Sequence, residues 1–306
     1  MQTQKRLSND QMEFFDTFGF LYFPGLLSDR IDRIVEEFET IWLNSGGGHD
    51  GKEHDGTQRS AILPFPDRSE YLSSLLDDSR VHDIVSSLCG EDFNYVGGDG
   101  NLYTRDTLWH SDGYGKKPVL TIKMAFYLDP VTADSGALRV IPGSHRVGEP
   151  FADAMEEGIA DANAQREELV RGKGIRILRD KALMSLVWRL FGVPPNKVPS
   201  QTLSTIPGDV LVFNHNIKHA SFGGNKRRRM FTMNFTGRYL KKNLPELREY
   251  LGGHARFWIE RMHGEAMIRT AGLERMVHLQ QIRENDTHLA DLTRELRKTM
   301  KEPARG

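Results

Sequence analysis

Residues 119–128 read VLTIKMAFYL, and apolar side chains occupy both parities of this stretch. Successive side chains of a strand point to opposite faces, so the pattern predicts a strand that is covered on both faces. The chain around it, from about 93 to 146, is a series of short strand-like segments separated by Gly- and Pro-containing turns. A doubly wound α/β fold would place helices between these strands, and no helical pattern occurs there. We therefore expect a mainly β fold, a β-sandwich or jelly roll with flanking helices.

Helical patterns lie on both sides of this strand-rich part. Ser8 and Gln11 form the pattern of a capping box at the start of an amino-terminal helix, and Ser28 is expected to cap a second helix. Further along, a segment that is first acidic and then basic and apolar interrupts the strands. We expect one domain over residues 1–306, composed of a jelly-roll core at about 93–236, a helical insertion within it at about 151–200 and a helical carboxy-terminal segment at about 244–306.

The insertion has two interpretations, a helix that covers the sheet or a lid over a pocket. We predict that it borders the mouth of the pocket together with the loop at 44–58, and that both become ordered when substrate binds. Part of the insertion is expected to be helical because five apolar residues follow at helical spacing: Leu183, Leu186, Val187, Leu190 and Phe191.

Charge and cysteine content exclude several classes of protein. The 306 residues include 41 Lys and Arg and 42 Asp and Glu, a formal net charge of −1. This balance argues against a broadly basic nucleic-acid binder and against bulk attraction to anionic membranes. The one cysteine, Cys89, excludes an internal disulfide and a cysteine-based zinc site. No apolar run is long enough to cross a bilayer, and the first six residues lack the apolar segment of a secretory signal, so we expect a reduced, cytoplasmic compartment.

His110 and Asp112 are candidate metal ligands. They stand two residues apart in an extended segment, so their side chains point to the same face. An imidazole and a carboxylate from one strand end are two of the three ligands of a facial metal-binding triad. The His-x-Asp pattern alone is weak, and the alternative is a surface histidine beside a turn. The third ligand must come from elsewhere, and His215 and His219 both follow a buried strand at 210–213.

Basic residues at 226–229 lead into a further strand. Such a run is usually a solvated face and less often a nucleic-acid patch. A third interpretation applies if one of these arginines is buried at the start of the strand. Its guanidinium could then bind a carboxylate through two parallel hydrogen bonds.

Three more polar residues are candidates for the walls of a pocket. Asn101 and Tyr103 share a parity on the strand at 101–109 that enters the metal motif, and they either line the pocket or form an ordinary edge-strand pair. Lys123 lies mid-strand on the same face as Ala125 and Tyr127. A buried lysine needs a partner, so Lys123 either binds an acidic ligand or faces solvent.

With these motifs in order, the sequence resembles the phytanoyl-CoA dioxygenase family of iron(II)- and 2-oxoglutarate-dependent oxygenases. The resemblance runs from the amino-terminal opening to about residue 235, and neither the insertion nor the segment after 244 takes part in it. The matching motifs are HSD at 110–112, DSGALRVIPGSHR at 134–146, PGDVLVF at 207–213, HAS at 219–221 and Arg228.

The resemblance implies a double-stranded β-helix core, a jelly roll of the cupin-like kind. It also implies that His110, Asp112 and His219 hold iron. His219 matches the family's distal histidine better than His215, because it is followed by a small residue and a serine. The same pattern makes His145 part of a structural turn and not a ligand.

The resemblance further implies that Arg228 and Ser221 bind 2-oxoglutarate. Arg229 is the alternative to Arg228 for binding 2-oxoglutarate, because the loop before this strand is slightly shorter than is usual in the family. Lys123, Asn101 and Tyr103 are secondary candidates for the same cofactor pocket. The cofactors implied are Fe(II), 2-oxoglutarate and O₂, with ascorbate as a supporting reductant.

The implied reaction is oxidative decarboxylation of 2-oxoglutarate to succinate and CO₂, coupled to hydroxylation or a related C–H oxidation. Asp112 occupies the place that a halide would need, which argues against halogenation. The partner expected is a small-molecule substrate, with no nucleic acid and no membrane, and a homo-oligomer through the carboxy-terminal helices is a further expectation. The alternative is a non-oxygenase, cupin-like metal-binding protein or small-molecule binding module, which would not need Arg228 and Ser221.

Overall fold

The computed structural model of the protein describes residues 6–159, 195–224 and 227–305. The helix predicted within 183–191 lies outside the described residues. Among the residues that are described, no helix is both long and apolar enough to span a bilayer.

Short strands make up the centre of the chain. Numbered in chain order, they are β1 (Phe20–Phe23), β2 (Ser60–Ile62), β3 (Asn94–Tyr95), β4 (Gly100–Tyr103), β5 (Thr107–His110), β6 (Thr121–Tyr127), β7 (Leu138–Val140), β8 (Gln201–Leu203), β9 (Val210–Asn214), β10 (His219–Ser221) and β11 (Arg228–Thr236). The helices around them are α1 (Asn9–Phe18), α2 (Ile31–Asn44), α3 (Glu70–Ser73), α4 (Ser79–Cys89), α5 (Leu244–Gly252), α6 (Glu265–Arg269), α7 (Leu273–Asn285) and α8 (Leu289–Thr299). Residues 150–159, at the start of the insertion, are also helical.

Two antiparallel sheets form the jelly roll. Within the described part of the chain, the large sheet has seven strands in the order β1-β9-β6-β11-β4-β2, and β3 pairs with β11. The small sheet has four strands in the order β5-β10-β7-β8. Apolar side chains from both sheets meet between them, among them Tyr127 of β6, Val140 of β7 and Leu211 of β9. The predicted mainly β, jelly-roll fold is confirmed.

The outer face of the large sheet is covered by the amino-terminal helices. Phe38 and Trp42 of α2 belong to one apolar cluster with Met124 and Phe126 of β6 and with Phe231 of β11. The other parity of β6 faces the small sheet, so this strand is covered on both sides, as its apolar pattern predicts. Because the two faces of one strand serve two different layers, every even-numbered residue of β6 supports the helix layer and every odd-numbered one faces the interior between the sheets.

The strand predicted at 101–109 is interrupted. β4 belongs to the large sheet and β5 to the small one, and the chain crosses between them at Arg105, whose φ is 68°. A non-glycine residue in this left-handed region marks a sharp turn. Asn101 and Tyr103 therefore lie on a different sheet from His110, and the prediction of one continuous strand is wrong.

The carboxy-terminal helices pack as a third layer. Leu247 and Leu251 of α5 are fully buried against Ile282 of α7 and Leu289 of α8. Asp286, between these two helices, accepts hydrogen bonds from the Arg261 side chain at 2.8 Å and from the backbone N–H of Met262 at 2.8 Å. These contacts hold residues 261 and 262 against the carboxy-terminal helices.

Candidate metal centre and the cavity around it

The three candidate ligands meet at one end of the small sheet. β5 and β10 are antiparallel neighbours, and His110 lies directly opposite His219 in their register. Asp112 follows two residues after His110, and its Oδ2 lies 3.9 Å from Nε2 of His219. One ligand atom from each of the three residues lies within 4.8 Å of the other two. Two imidazoles and a carboxylate in this arrangement could hold one divalent metal ion with coordination positions left open.

Backbone contacts fix the orientation of both imidazoles. Nδ1 of His110 lies 2.7 Å from the carbonyl oxygen of Leu108, and Nδ1 of His219 lies 3.0 Å from that of Ile217. A carbonyl oxygen only accepts, so each Nδ1 carries the proton and each Nε2 has a free lone pair. Metal-binding histidines commonly have this second contact, which fixes the tautomer and the ring orientation.

The electrostatics keep the cluster ready for a cation. Burial and, to a lesser extent, the neighbouring His110 together lower the pKa of His219 to about 3. Burial also lowers the pKa of His110. Burial alone would raise the pKa of Asp112, but Lys123 and the nearby histidines lower it well below its usual range. At neutral pH the site therefore offers two neutral imidazoles and one carboxylate, the protonation states that metal binding requires.

Lys123 faces this cluster from the opposite sheet. Its Nζ lies 2.8 Å from Oδ2 of Asp112, and its side chain is only 17% exposed. Burial lowers the pKa of Lys123, but the carboxylates of Asp112 and Asp99 raise it to a net value above the usual one. Of the two interpretations made from sequence, the solvent-facing one is wrong, and the acidic group that Lys123 contacts in the structure is Asp112.

His215 and His145 lie outside the triad. His215 places Nε2 3.2 Å from Oδ1 of Asn234, and its carbonyl oxygen accepts the backbone N–H of Asp112 at 3.0 Å. It therefore supports the turn that carries Asp112. His145 places its Nε2 3.2 Å from the carbonyl oxygen of Asp16, next to the amino-terminal helix.

Arg228 enters the interior between the sheets at the start of β11. Its side chain donates to the carbonyl oxygen of Gly136 and, at 3.1 Å, to Oγ of Ser221, and the guanidinium lies 4.7 Å from the Tyr103 ring centroid. The residue is 3% exposed, and its Nε has no hydrogen-bond partner. Within 6–159, 195–224 and 227–305, no carboxylate pairs with this buried cation.

Arg229 points to the other side of β11. It pairs with Asp129 at 2.6 Å and with Glu39 of α2 at 2.8 Å. Because neighbouring side chains of a strand alternate, only one of the two arginines can reach the interior, and that one is Arg228. The sequence alone does not decide which of these two neighbouring arginines faces the interior.

The two residues proposed on β4 behave differently. Tyr103 lines the cavity, whereas Asn101 does not. Asn101 is fully buried, accepts from Nε of Arg59 at 2.8 Å and donates to Oδ2 of Asp99 at 2.5 Å. It therefore supports a pair, Arg59 and Asp99, that does line the cavity and that the sequence did not single out.

A cavity of about 690 Å³ extends from the triad to the carboxy-terminal segment. Sequence reasoning missed this second wall, although the run HARFW at 254–258 combines cationic and aromatic residues without helical periodicity. No residue of the loop at 44–58 is among those that line the cavity, and His49 of this loop contacts the carbonyl oxygens of Ala61 and Pro303. That this loop borders the mouth of the cavity and becomes ordered on substrate binding stays a prediction. The carboxy-terminal residues that line the cavity are Tyr250, Gly253, His254, Arg256, Phe257, Ile259 and Met262.

Comparison with known proteins gives a family and a fold. The family model described as "Phytanoyl-CoA dioxygenase (PhyH)" matches residues 15–230. Similar solved structures include SnoK from nogalamycin biosynthesis, an alpha ketoglutarate dependent carbocyclase, with 18% identity, TM-score 0.53 and coverage of 76% of this chain and 84% of that one. EctD from S. alaskensis has 19% identity, TM-score 0.52 and coverage of 78% and 79%. HygX from Streptomyces hygroscopicus, with iron bound, has 17% identity, TM-score 0.51 and coverage of 77% and 88%. No curated protein sequence matches significantly.

Proposed function

The chain belongs to the phytanoyl-CoA dioxygenase family of Fe(II)- and 2-oxoglutarate-dependent oxygenases, and from that premise we propose the residues that carry its chemistry. Two neutral imidazoles and one carboxylate fit Fe(II), and we assign His110, Asp112 and His219 as its ligands. The enzyme is an oxidoreductase whose cofactors are Fe(II), 2-oxoglutarate and O₂.

The observation that carries the assignment is the unpaired Arg228 beside the triad. A buried cation without a carboxylate partner is costly, so its presence favours an acidic ligand in the same cavity. Ser221, which contacts Arg228, stands two residues after His219 on β10 and so faces the same side, about 7 Å along the strand. A five-carbon diacid such as 2-oxoglutarate spans that distance, with one carboxylate on Arg228 and Ser221 and the other end toward the metal ligands.

Bound Fe(II), 2-oxoglutarate and O₂ supply the oxidative decarboxylation to succinate and CO₂ and the hydroxylation or related C–H oxidation of a small organic substrate. The chain's own residues position and shield these groups. The contacts of Nδ1 in His110 and His219 hold each Nε2 toward the metal, and Lys123 keeps Asp112 ionised. The walls of the cavity would limit the access of water to the reacting atoms.

A set of three histidine variants tests the metal assignment. His110→Ala or His219→Ala is expected to abolish Fe(II) binding, since two protein ligands seldom retain the ion, whereas His215→Ala is expected to keep it. Anaerobic Fe(II) titration by calorimetry, followed by the absorption change on addition of 2-oxoglutarate, measures both steps. Loss of iron in His215→Ala together with retention in His219→Ala would show that the wrong histidine is assigned.

Two expectations from the sequence stay predictions. One is a cytoplasmic location, which rests on the single Cys89. The other is a homo-oligomer through the carboxy-terminal helices, which the molecular mass in solution would test. Secondary roles of Lys123 and Tyr103 in holding 2-oxoglutarate are part of this proposal, because both line the cavity that Arg228 enters.

A further inference from the structure

We propose that the substrate of this enzyme is an organic anion, an apolar body carrying a carboxylate or phosphate, and that Arg256 binds the anionic group at the carboxy-terminal wall of the cavity. The inference rests on the proposed function, because it treats the space between the metal ligands and the carboxy-terminal segment as the substrate site. Arg228, at the start of β11, is reserved for the cosubstrate.

The cationic side chains that line the cavity outnumber the acidic ones, and Arg256 is one of the cations without an acidic partner among the described residues. Six charged side chains line it in the described part of the chain, four cationic and two acidic. Both acids are paired, Asp99 with Arg59 at 2.9 Å and Asp112 with Lys123 at 2.8 Å. The remaining cations are Arg228 and Arg256. A divalent iron and a dianionic 2-oxoglutarate add no net charge, so two positive charges remain in excess, and an anionic substrate offsets this excess.

Arg256 is exposed at the rim of the cavity and lies beside an aromatic ring. It belongs to the short 3-10 helix Gly253–Phe257, and its backbone oxygen accepts the N–H of Ala304 at 2.8 Å, which fixes the main chain. Its guanidinium lies 4.7 Å from the Phe257 ring centroid. Over the ranges 6–159, 195–224 and 227–305 no acidic side chain pairs with it. Burial lowers the pKa of Arg256, and the positive charge of Arg59 lowers it further, whereas Asp112 raises it.

The walls between Arg256 and the triad define the body of the substrate. Ile259 is 7% exposed and Met262 is 2% exposed, and both line the cavity with Val96 and Leu63 from the jelly-roll side. Apolar walls of this kind suit an aliphatic or aromatic body, and a guanidinium fork suits the two oxygens of a carboxylate or phosphate. The anionic group at the rim then points the body inward toward the metal ligands.

Matched probes test the proposal. Protein loaded with Ni(II) and 2-oxoglutarate, so that Arg228 is occupied, is titrated by calorimetry with 5-phenylpentanoate, its neutral amide and 4-phenylbutyl phosphate. The wild type is expected to bind at least one anion about tenfold to a hundredfold more tightly than the amide. Arg256→Gln should abolish this preference and Arg256→Lys should retain part of it. Lys242→Gln, which removes an exposed charge just before α5 and outside the cavity, should leave it unchanged.

Each outcome bears on one proposal. A preference for carboxylate over phosphate, or the reverse, identifies the anionic group. Equal binding of anion and amide by the wild type, or a preference that persists in Arg256→Gln, overturns the inference while Ni(II) and 2-oxoglutarate still bind. Failure of the wild type to bind Ni(II) and 2-oxoglutarate overturns the proposed function instead, and the Arg256-dependent difference between anion and amide is then measured in the metal-free protein.

Discussion

At the scale of single residues, the two adjacent arginines of β11 have opposite roles. Arg228→Gln is expected to weaken 2-oxoglutarate binding by about tenfold to a hundredfold, because it removes a charge-assisted bidentate contact. Arg229→Gln should change it little, because Arg229 contacts Asp129 and Glu39 at the surface, and exposed pairs contribute about 0–1 kcal/mol. The dissociation constant of 2-oxoglutarate in the Ni(II)-loaded protein measures both effects. Similar small effects of the two variants would mean that neither arginine binds the cosubstrate.

Gly136 offers a second test of the Arg228 position. It has a φ of 94°, and a Cβ added to it would collide with the guanidinium of Arg228. Gly136→Ala is therefore expected to displace Arg228 and to weaken 2-oxoglutarate binding at least tenfold. Gly143→Ala is the matched control, because its φ of 78° imposes a similar backbone cost while its Cβ would lie 3.6 Å from the nearest atom, the carbonyl oxygen of Thr17. Equal affinities in the two variants would contradict the assignment.

The sequence predicted which candidate residues lie close together where a motif fixes both identity and spacing. Two-residue spacing on a strand was enough to place His110 and Asp112 on one side, and the structure brings them to His219. The Arg228 register could not be read, because it depends on where the strand begins after a loop. The environment of Lys123 could not be predicted for a different reason. Whether a lysine in mid-strand contacts solvent or a carboxylate depends on the residues of the opposite sheet.

At the scale of elements, a short-range pattern predicted the start of α1 correctly and the start of α2 wrongly. The capping box of α1 is confirmed, with Oγ of Ser8 accepting the N–H of Gln11 at 3.2 Å and Oε1 of Gln11 accepting the N–H of Ser8 at 2.9 Å. The cap predicted at Ser28 is wrong, because α2 begins at Ile31 after Arg30. Ser28 instead packs beside Gly208, a contact between distant parts of the chain that no local pattern reveals.

The two faces of β11 have different roles: one lines the cavity and the other packs in the apolar core. Arg228, Thr232 and Asn234 face the cavity, whereas Phe231 is fully buried in the helix layer and stacks on Phe126 at 4.5 Å. Changes on the second face are therefore expected to act on folding alone.

Phe231→Ala is expected to lower the free energy of unfolding by about 3–5 kcal/mol, because it leaves a void in a fully packed cluster. Leu240→Ala, at a side chain that is 65% exposed, should cost less than about 1 kcal/mol. Urea denaturation measures both. Because Phe231 faces away from the cavity, folded Phe231→Ala protein should keep its affinity for 2-oxoglutarate, and a parallel loss of affinity would show that the two faces of β11 are not independent.

At the scale of the whole molecule, the carboxy-terminal layer completes the cavity. Its role could not be predicted from sequence. Helical periodicity indicates that one face of a segment is buried, but it does not identify the part of the molecule that covers this face. The crossing of the chain at Arg105 was hidden for a similar reason, since an arginine gives no local sign of a positive φ. Both features result from the packing of distant segments.

Asp286 connects this layer to the cavity wall through Arg261 and Met262. Asp286→Ala is expected to lower the free energy of unfolding by about 1–3 kcal/mol, because it leaves the Met262 N–H without its acceptor. It should also weaken binding of 5-phenylpentanoate while 2-oxoglutarate affinity stays constant. Asp291→Ala, whose carboxylate is 77% exposed in a pair with Arg294, is the control. Loss of 2-oxoglutarate affinity in Asp286→Ala would show that the wall and the metal centre are mechanically coupled.

The proposed iron ligands lie on one strand pair and the turn that follows β5, whereas Arg256 and its apolar neighbours lie in a segment that begins after β11. The proposed anion-binding residue and the proposed iron ligands thus lie in separate stretches of the chain. Mutational drift or deliberate randomisation at 250–262 can therefore change which molecule is chosen without altering the coordination geometry. We therefore expect that a carboxy-terminal segment from a relative, joined after residue 237, would leave the proposed metal ligands in place if it kept the contacts of Gln281 with Asn94 and of Gly264 with Asp67.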